Sequence, residues 1–417
     1  MSNVKDVDDP QPVDAVVEPQ TVRVLEHMGF QSPVKICKSL QGSIYRAQKP
    51  PNLRIAIHSI SHTDNDDDRP AVDHNKNNQQ QVPSLPVTPT TPSTPCMPVV
   101  IKVAHCKLHS KHLAKVGNRV VRVQENILLE SDILRFLTHC NDCPPSIIKF
   151  YDFITIHPTY MLLMEDGGAS LFGFVQSAHK LIKAGVLSAN HWKQMVQKVF
   201  LQMLESIEFI HAHRVSHFDV SLENFLINDV NVEVTTHAVS GKERVEFMLN
   251  DVQIKLCDFG LAEYFSTDNF STRKNCGKQN YKSPECLKGR DLFDAKKNDI
   301  FCLGVSLFMM MVGAPPWSMA DESDALYTYM TNGLMKDVLV QWNKSARMDD
   351  HFIDLEERIF APEARRISLS EIRNHAFARQ SSHSQPRNGV GKHDIDAVNA
   401  TQESTHSMQK QTTFGAH

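Results

Sequence analysis

One stretch of eight residues, at 217–224, limits what this chain can fold into more than any other part of the sequence. It places Asp219 five residues before Asn224, directly after an amphipathic run. Further along, a strand-like segment ends in Cys-Asp-Phe-Gly at 257–260, so a second carboxylate, Asp258, stands beside a glycine turn. Asp and Asn side chains supply the hard oxygen ligands that suit Mg²⁺. We therefore expect these three side chains to face one pocket.

The order of these residues resembles that of eukaryotic protein kinases of the Ser/Thr type. His-x-Asp-x-x-x-x-Asn at 217–224 is similar to the catalytic loop, and Asp-Phe-Gly at 258–260 is similar to the metal-binding turn. The Glu-Asn of Leu222-Glu223-Asn224 keeps the Ser/Thr pattern. The resemblance implies an α+β, bilobal fold, with a small antiparallel β lobe that carries one main helix and a larger helical lobe.

The resemblance also implies roles for the polar residues. Asp219 would accept or orient the proton of the substrate hydroxyl, while Asn224 and Asp258 would hold Mg²⁺ on ATP. Lys102, in the strand Val-Val-Ile-Lys-Val at 99–103, would position the phosphates. ATP and Mg²⁺ are thus the expected cofactors.

A Glu of the next helix should pair with Lys102. Apolar spacing predicts that helix over 119–137. Glu130 and Glu125 both compete for the role, and the register of Ile133 and Leu137 favours Glu130.

The nucleotide pocket has a weaker signature. Only Gly42 of the three glycines in the family's hairpin is present, and Cys37 and Ser39 stand at the other two positions. Ordinary core packing explains the apolar residues of this hairpin equally well. The resemblance places the following residues around the nucleotide: Ile36, Gly42, Ile44, Val100, Lys102, Met164 as gatekeeper, backbone groups of Glu165 and Gly167, and Leu226 as the floor of the adenine pocket.

Three further matches follow in family order. Ser283-Pro284-Glu285 resembles the end of the activation segment, and Asp299 resembles an Asp that braces the catalytic loop. Arg366 stands where the family has an Arg that pairs with that Glu. Charged residues are rarely buried unpaired, so Glu285 and Arg366 are expected together.

Three departures from the family pattern bear on mechanism. Phe218 replaces the Arg that grips a phosphorylated activation loop, and Ser221 replaces a Lys near the transferred phosphate. Lys278 replaces a Thr that contacts that Lys and the catalytic Asp. The hydroxyl and the ammonium have exchanged places, so Lys278 could reach back toward Asp219 and supply the missing charge as a further catalytic residue.

The composition of the chain limits the partners and the cellular locations that we expect. A formal net charge of −4 gives no electrostatic reason to expect nucleic acid. The longest apolar run, at 300–313, is too short to span a bilayer and is typical of a buried helix. The nine cysteines include a single Cys-x-x-Cys, Cys140 to Cys143, with no second pair to complete a zinc site. We expect reduced thiols and a cytoplasmic location, with the nucleus as the alternative.

The chain divides into four predicted parts. A disordered lead-in at 1–20 precedes a small lobe at 21–166, which contains a polar, proline-rich insertion at about 61–98. A larger lobe at 167–378 is followed by a disordered tail at 379–417. Within the larger lobe we expect a strand pair between Asn224 and Asp258, with a polar insertion near 239–244.

Three functions compete at this point. The leading one is ATP- and Mg²⁺-dependent phosphoryl transfer to Ser or Thr of protein substrates. The alternative is a pseudokinase scaffold with weak or no catalysis, which the degenerate hairpin and Ser221 favour. A kinase for small molecules is disfavoured by the activation segment ending at Glu285. The oligomeric state is open.

Overall fold

The first part of the chain folds around a five-stranded antiparallel sheet. In this computed structural model, the described residues are 14–39, 42–50, 96–111, 113–116, 119–122, 124–236, 243–289, 291–345, 348–379 and 412–414. The elements of this lobe are α1 (Asp14–His27), β1 (Gln31–Lys38), β2 (Gly42–Lys49), β3 (Met97–His105), α2 (Cys106–Ser110), β4 (Leu113–Val116), β5 (Arg119–Arg122), α3 (Ile127–Thr138), β6 (Phe150–Ile156) and β7 (Thr159–Glu165). The sheet order is β1-β2-β3-β7-β6.

The two-residue period of β3 sends its side chains to two different cores. Val99, Ile101 and Val103 pack in a small-lobe cluster that also contains Leu25 of α1. Ala104 belongs instead to the large core that continues into the second lobe. Successive side chains on a strand point to opposite faces. The same alternation therefore turns Lys102 away from Ile101 and toward the cleft between the lobes.

Two boundaries in this lobe differ from the predictions. α1 begins at Asp14, inside the predicted disordered lead-in, and its Leu25 is fully buried. The predicted helix at 119–137 begins only at Ile127, because residues 119–122 pair with β4 as a strand. The Asn126 side chain accepts hydrogen bonds from the backbone N–H groups of Leu128 and Leu129, at 3.1 Å each, and caps the helix.

The second lobe is mainly helical. Its elements are β8 (Ala169–Ser170), α4 (Leu171–Lys183), α5 (Ala189–Ala212), β9 (Val215–Ser216), β10 (Phe225–Ile227), β11 (Val230–Thr236), β12 (Glu243–Phe247), β13 (Ile254–Leu256), β14 (Glu263–Tyr264), β15 (Ser271–Thr272), α6 (Pro284–Lys288), β16 (Phe293–Asp294), α7 (Ala295–Val312), α8 (Ala325–Tyr329), α9 (Met335–Gln341), α10 (Asp350–Ile359), α11 (Leu369–Asn374), α12 (Ala376–Arg379) and β17 (Thr412–Phe414). The predicted α+β, bilobal architecture is confirmed.

Helix α7 forms the centre of this lobe. It is buried along almost its whole length, which confirms the interpretation of the apolar run at 300–313. Among the described residues, no helix combines the length and the apolar character needed to cross a membrane.

The segment between Asn224 and Asp258 contains more strands than predicted. β10 pairs with β13, and β11 and β12 form an additional hairpin, whose connection at 237–242 lies outside the described residues. β17 pairs with β11, so the predicted disordered tail contains one short strand. Most of the predicted insertion at 61–98 also lies outside the described residues, and β3 already begins at Met97, within the predicted range.

A buried carboxyl group on α10 predicts a pH dependence of stability. Glu356 is fully buried, and its two carboxylate oxygens have no hydrogen-bond partner in the part of the chain that the structure describes. Burial raises the pKa of Glu356 well above its ordinary 4.5, so the folded protein binds a proton that the unfolded chain releases. Stability conferred by this group is therefore lost as pH rises above 4.5.

We expect Glu356→Gln, which cannot ionise, to remove this loss. Relative to the wild type, its free energy of unfolding should improve by on the order of 1 kcal/mol or more between pH 5 and pH 8. Urea denaturation at the two pH values measures the change. Glu322→Gln, at an exposed position, is the matched control and should show no such improvement. Equal pH dependence of Glu356→Gln and the wild type would contradict the prediction.

Candidate active site

A buried ammonium group connects the two lobes. The Nζ atom of Lys102 on β3 lies 2.9 Å from Oε2 of Glu130 on α3 and 2.8 Å from Oδ1 of Asp258. The Lys102 and Glu130 side chains are only 8% and 1% exposed, so water hardly solvates either charge. Burial lowers the pKa of Lys102, but the two carboxylates raise it by more, and it lies well above its ordinary value. Between the two predicted partners, the structure places Glu130, not Glu125, on Lys102.

Asp258 and Asn224 stand at the ends of neighbouring strands. The backbone N–H of Cys257 donates to Asn224 O at 2.9 Å, which fixes the spacing of the two side chains. Asp258 has a left-handed backbone with φ 65° and ψ 68°. Burial raises the pKa of Asp258, but Lys102 together with the weaker effects of His217 and Lys278 lowers it by more, so the carboxylate is ionised.

These two residues fit the magnesium ion that the family implies. The Asn224 Nδ2 atom donates to Asp219 O and Oδ2, at 2.8 and 2.6 Å, so the amide oxygen is the donor atom left for a cation. The Asp258 side chain is 36% exposed and therefore accessible to a ligand. One amide oxygen and one ionised carboxylate form the hard-oxygen set that Mg²⁺ prefers.

Asp219 is held by an unusual set of donors. Lys278 donates to it twice: its backbone N–H to Oδ1 at 3.1 Å, and its Nζ to Oδ2 at 2.7 Å. The same Nζ donates to Ser221 Oγ at 2.9 Å. Burial lowers the pKa of Lys278 and the Asp219 carboxylate raises it by more, so the group remains an ammonium. The structure thus brings the two exchanged residues into contact beside Asp219.

Glycine at position 277 permits this approach. Gly277 has φ +87°, and a Cβ atom there would lie 2.4 Å from Phe218 O. A side chain would therefore push the activation segment away from the catalytic loop and carry the Lys278 N–H off Asp219.

Asp299, at the start of α7, organises the catalytic loop as predicted. Its Oδ1 accepts the backbone N–H of Phe218, and its Oδ2 accepts that of His217, both at 2.9 Å. Ser216 Oγ and His211 Nε2 also contact Oδ2, at 2.8 and 3.0 Å, and sequence reasoning missed both residues. Burial raises the pKa of Asp299, but these partners lower it by more, so a buried carboxylate holds two consecutive backbone groups in place.

The predicted adenine pocket is assembled from both lobes. Strand register places Ile44 opposite Lys102 and Val100 opposite Met164, and Met164 is buried. A Cβ on Gly167 would lie 2.8 Å from Leu226 Cδ1, so these two residues are in contact. The N–H of Glu165 donates to Lys149 O at 2.9 Å, which ties the end of β7 to the residue before β6.

The hairpin over this pocket gives weaker support for nucleotide binding. Ile36 on β1 is 43% exposed, and the hairpin tip, residues 40 and 41, lies outside the described residues. A Cβ on Gly42 would lie 1.8 Å from Val103 O, so close strand contact requires a glycine there even without a nucleotide.

Phe218 occupies an apolar cluster and replaces a charged contact by packing. It is 1% exposed and packs in a cluster with three residues of the activation segment, Phe265, Phe270 and Cys276, and with Cys286, Phe293 and Ala295, which follow the segment. Lys274 Nζ lies 4.8 Å from the centre of the Phe218 ring and donates to Leu261 O at 2.6 Å. Sequence reasoning noted the missing Arg but not this cluster, which the phenylalanines at 265 and 270 could have indicated.

The end of the activation segment is tied to the second lobe by the expected ion pair. The Arg366 guanidinium binds both carboxylate oxygens of Glu285, with Nη2 at 3.2 Å from Oε2. Arg366 is almost fully buried, and its Nε and Nη1 also donate to the carbonyls of Ile359 and Lys297. Bidentate pairs of this kind add geometric specificity as well as energy.

Comparison with known families decides the identity of this arrangement. The model of the protein kinase domain matches residues 98–378, about two thirds of the chain, which include every ionisable residue of the site described above. The chain belongs to the protein kinase family.

Individual relatives of this kinase match a smaller share of the chain than the family model does. The SNF1-like protein kinase ssp2 of Schizosaccharomyces pombe is 26% identical over 211 residues, which are 51% of this chain and 29% of the relative. The carbon catabolite-derepressing protein kinase of Saccharomyces cerevisiae is 27% identical over 234 residues, 56% of this chain and 30% of the relative. The human SNF-related serine/threonine-protein kinase is 27% identical over 235 residues, 56% of this chain and 26% of the relative. The chain thus spans less than a third of the length of these relatives.

The Phe218 cluster predicts that restoring the family Arg will harm this kinase. Phe218→Arg would bury a guanidinium among aromatic and apolar side chains, beside the Lys274 ammonium. We expect a loss of about 3 kcal/mol or more in the free energy of unfolding, measured by urea denaturation, because the buried charge has no partner. Phe218→Leu, which keeps the apolar contact, should lose clearly less. A variant Phe218→Arg as stable as Phe218→Leu would show that the cluster does not need an apolar residue here.

Proposed function

We propose that this kinase transfers the γ-phosphoryl group of ATP to Ser or Thr residues of protein substrates, with Mg²⁺ as cofactor. One observation carries the proposal: the Lys102–Glu130 ion pair, the Asp258 carboxylate and the Asp219–Asn224 pair are assembled at the same time, across both lobes. Phosphoryl transfer needs these groups together because it depends on positioning and on neutralising charge.

Each residue has a task in this proposal. Bound Mg²⁺ would neutralise the phosphate oxygens, and Asn224 and Asp258 would hold it. Lys102 would bind the phosphates, with Glu130 keeping its ammonium in place. Asp219 would orient the substrate hydroxyl and accept its proton. Ile36, Gly42, Ile44, Val100 and Met164, together with the backbone of Glu165 and Gly167 and with Leu226, would enclose the adenine.

Lys278 would supply the positive charge that Ser221 cannot. Its Nζ lies between Asp219 Oδ2 and Ser221 Oγ, where it faces the group that would receive the proton. An ammonium on a flexible stem can shift from the carboxylate to a phosphate as negative charge develops. Lys278 would therefore be the catalytic residue that replaces the missing charge of the loop.

Two observations support Ser/Thr specificity. The loop residues Leu222-Glu223-Asn224 keep the Ser/Thr pattern, and Glu223 Oε2 accepts a hydrogen bond of 3.1 Å from the Tyr281 hydroxyl in the activation segment. The name of the human relative includes serine/threonine specificity.

The nine free cysteines support the proposal of a reducing compartment, the cytoplasm or the nucleus.

A scaffold without catalysis is the competing function, and the contacts of Asp219 favour it. Three donors, the Lys278 N–H and Nζ and the Asn224 amide, already occupy its carboxylate. For Asp219 to accept a proton from a substrate hydroxyl, Lys278 would have to move away from its carboxylate. Catalysis therefore has to be tested directly, with variants of both residues.

The first test removes the proposed base and the phosphate-binding ammonium. Asp219→Asn should reduce transfer of labelled phosphate from ATP to a panel of protein substrates by at least ~10²-fold, as expected for a general base. Lys102→Met should act similarly, because it removes a charge that binds the phosphates. Circular dichroism must show that both variants keep the wild-type fold. Equal transfer by the wild type and both variants would assign the labelling to a contaminant and favour the scaffold.

The second test concerns the exchanged residues. A charge that acts mainly in the transition state raises turnover more than nucleotide affinity. Lys278→Ala should therefore lower kcat by on the order of 10²-fold and change the affinity for ATP much less.

The double variant Ser221→Lys, Lys278→Thr is the control for position. It returns the ammonium to the loop and should recover part of the lost kcat. Lys278→Ala with wild-type turnover would exclude a catalytic role for Lys278.

A further inference from the structure

A cluster of three metal-ligating side chains lies outside the site described above. The Cys140 thiol, the Asp142 carboxylate and the His213 imidazole each offer a ligand atom, and these atoms lie within 4.8 Å of one another. Cys140 and Asp142 belong to the loop that follows α3, whereas His213 directly follows α5. The sequence separates the histidine from the other two residues by some seventy positions, so only the fold brings them together.

The hydrogen bond of His213 fixes which ring nitrogen is available. Nδ1 lies 2.9 Å from Phe209 O, and a carbonyl oxygen can only accept, so Nδ1 carries the hydrogen. In the neutral ring the lone pair is then on Nε2. That atom lies 3.4 Å from Asp142 Oδ1. In this form two electron-pair donors, His213 Nε2 and Asp142 Oδ1, face each other. The contact is favourable only if a positively charged species binds both atoms.

This arrangement has the features of a prepared metal ligand. A metal-binding histidine usually donates its other ring N–H to a carbonyl or carboxylate, which fixes the ring. Here the Phe209 carbonyl has that role. The Phe209 ring centre also lies 4.4 Å from that of His213, and the Phe136 ring packs edge-on at 6.1 Å. The imidazole is therefore held from three sides with Nε2 toward the loop.

The same loop carries a second cysteine, Cys143, whose sulfur is outside the cluster of three ligand atoms. The backbone N–H of Cys143 donates to Cys140 O at 3.1 Å, so the Cys-x-x-Cys segment forms a tight turn. In zinc sites a Cys-x-x-Cys turn commonly supplies two of the four ligands. Cys143 is partly buried and stands as a fourth candidate ligand.

We propose that Cys140, Asp142 and His213 bind a transition-metal ion of the zinc class, with Cys143 or water as the fourth ligand. Sulfur and imidazole ligands select zinc-class ions over Mg²⁺, which prefers oxygen alone. Binding would release the thiol proton of Cys140, which now donates to Phe136 O at 3.4 Å, because the thiolate is the ligand form. The bound ion would join the loop after α3 to the end of α5.

Cobalt provides a direct test on the chain of 417 residues. Co²⁺ bound to a thiolate gives a sulfur-to-metal charge-transfer absorption that oxygen ligands do not give. The titration is run under reducing conditions in excess Mg²⁺, which occupies the oxygen ligands Asn224 and Asp258. We expect saturation at one Co²⁺ per chain, a charge-transfer band, and displacement of Co²⁺ by Zn²⁺. Zn²⁺ should also raise the melting temperature, because an ion that binds only the folded state stabilises it.

Variants assign the band to the cluster. Cys140→Ser should abolish the charge-transfer band or weaken Co²⁺ affinity by at least ~10²-fold, and His213→Asn should weaken affinity similarly. Asp142 is exposed, so Asp142→Asn leaves the packing intact and should weaken affinity by about 10-fold. Cys96→Ser is the matched control, since Cys96 is partly exposed but contacts Gln31 instead. Loss of the band in Cys143→Ser would identify Cys143 as the fourth ligand, and its persistence would leave water in that place.

Several outcomes would overturn the proposal. Absence of the band, or a band unchanged in Cys140→Ser and in Asp142→Asn, would show that the cluster binds no such ion. A band lost in Cys96→Ser but kept in Cys140→Ser would place the ion elsewhere.

Discussion

The neutralisation of one buried ammonium underlies the rest of the structure. Lys102 lies on the cleft face of β3 because side chains alternate along a strand, and there it has almost no access to water. A buried charge is costly unless it is paired, and its two carboxylate partners come from α3 and from the Asp258 turn. Their positions in turn require α3 to pack on the sheet and the two lobes to meet. The geometry of one charge thus sets the relation between the lobes.

A second ammonium, that of Lys278, occupies the space beside Asp219 although it comes from a different segment of the chain than in the family pattern. The ammonium enters from the activation segment, yet its Nζ lies beside Asp219 and Ser221, where the family pattern has a charge from the loop. Two separate features make this possible: the bare backbone of Gly277 and the brace that Asp299 provides under the loop. The fold thus places an ammonium beside Asp219 from the activation segment rather than from the loop.

Phe218 illustrates the opposite solution, in which a charge is given up. Where the family pattern has an Arg that grips a phosphate, aromatic side chains of the activation segment pack on a buried ring. Apolar packing needs no phosphate and, unlike an ion pair, is not screened by salt. Lys274 contributes the one cation near this ring among the described residues, through the ring face and through two backbone carbonyls.

The sequence by itself indicated the family and the two-lobed fold, and it named the residues of the candidate site, because the polar groups of this family occur at fixed spacings along the chain. It also predicted the Glu285–Arg366 pair, since buried charges need partners. Local patterns failed where another element supplies the deciding contact: apolar spacing extended α3 back over residues that pair as β5. The apolar register favoured Glu130 as the partner of Lys102, and the exchanged residues suggested that Lys278 reaches Asp219. Only the tertiary structure showed that Ser216 and His211 contact Asp299 and that His213 meets Cys140. The physical reason is that such contacts join segments far apart in the chain, whose distances depend on packing and leave no periodic signal in the sequence.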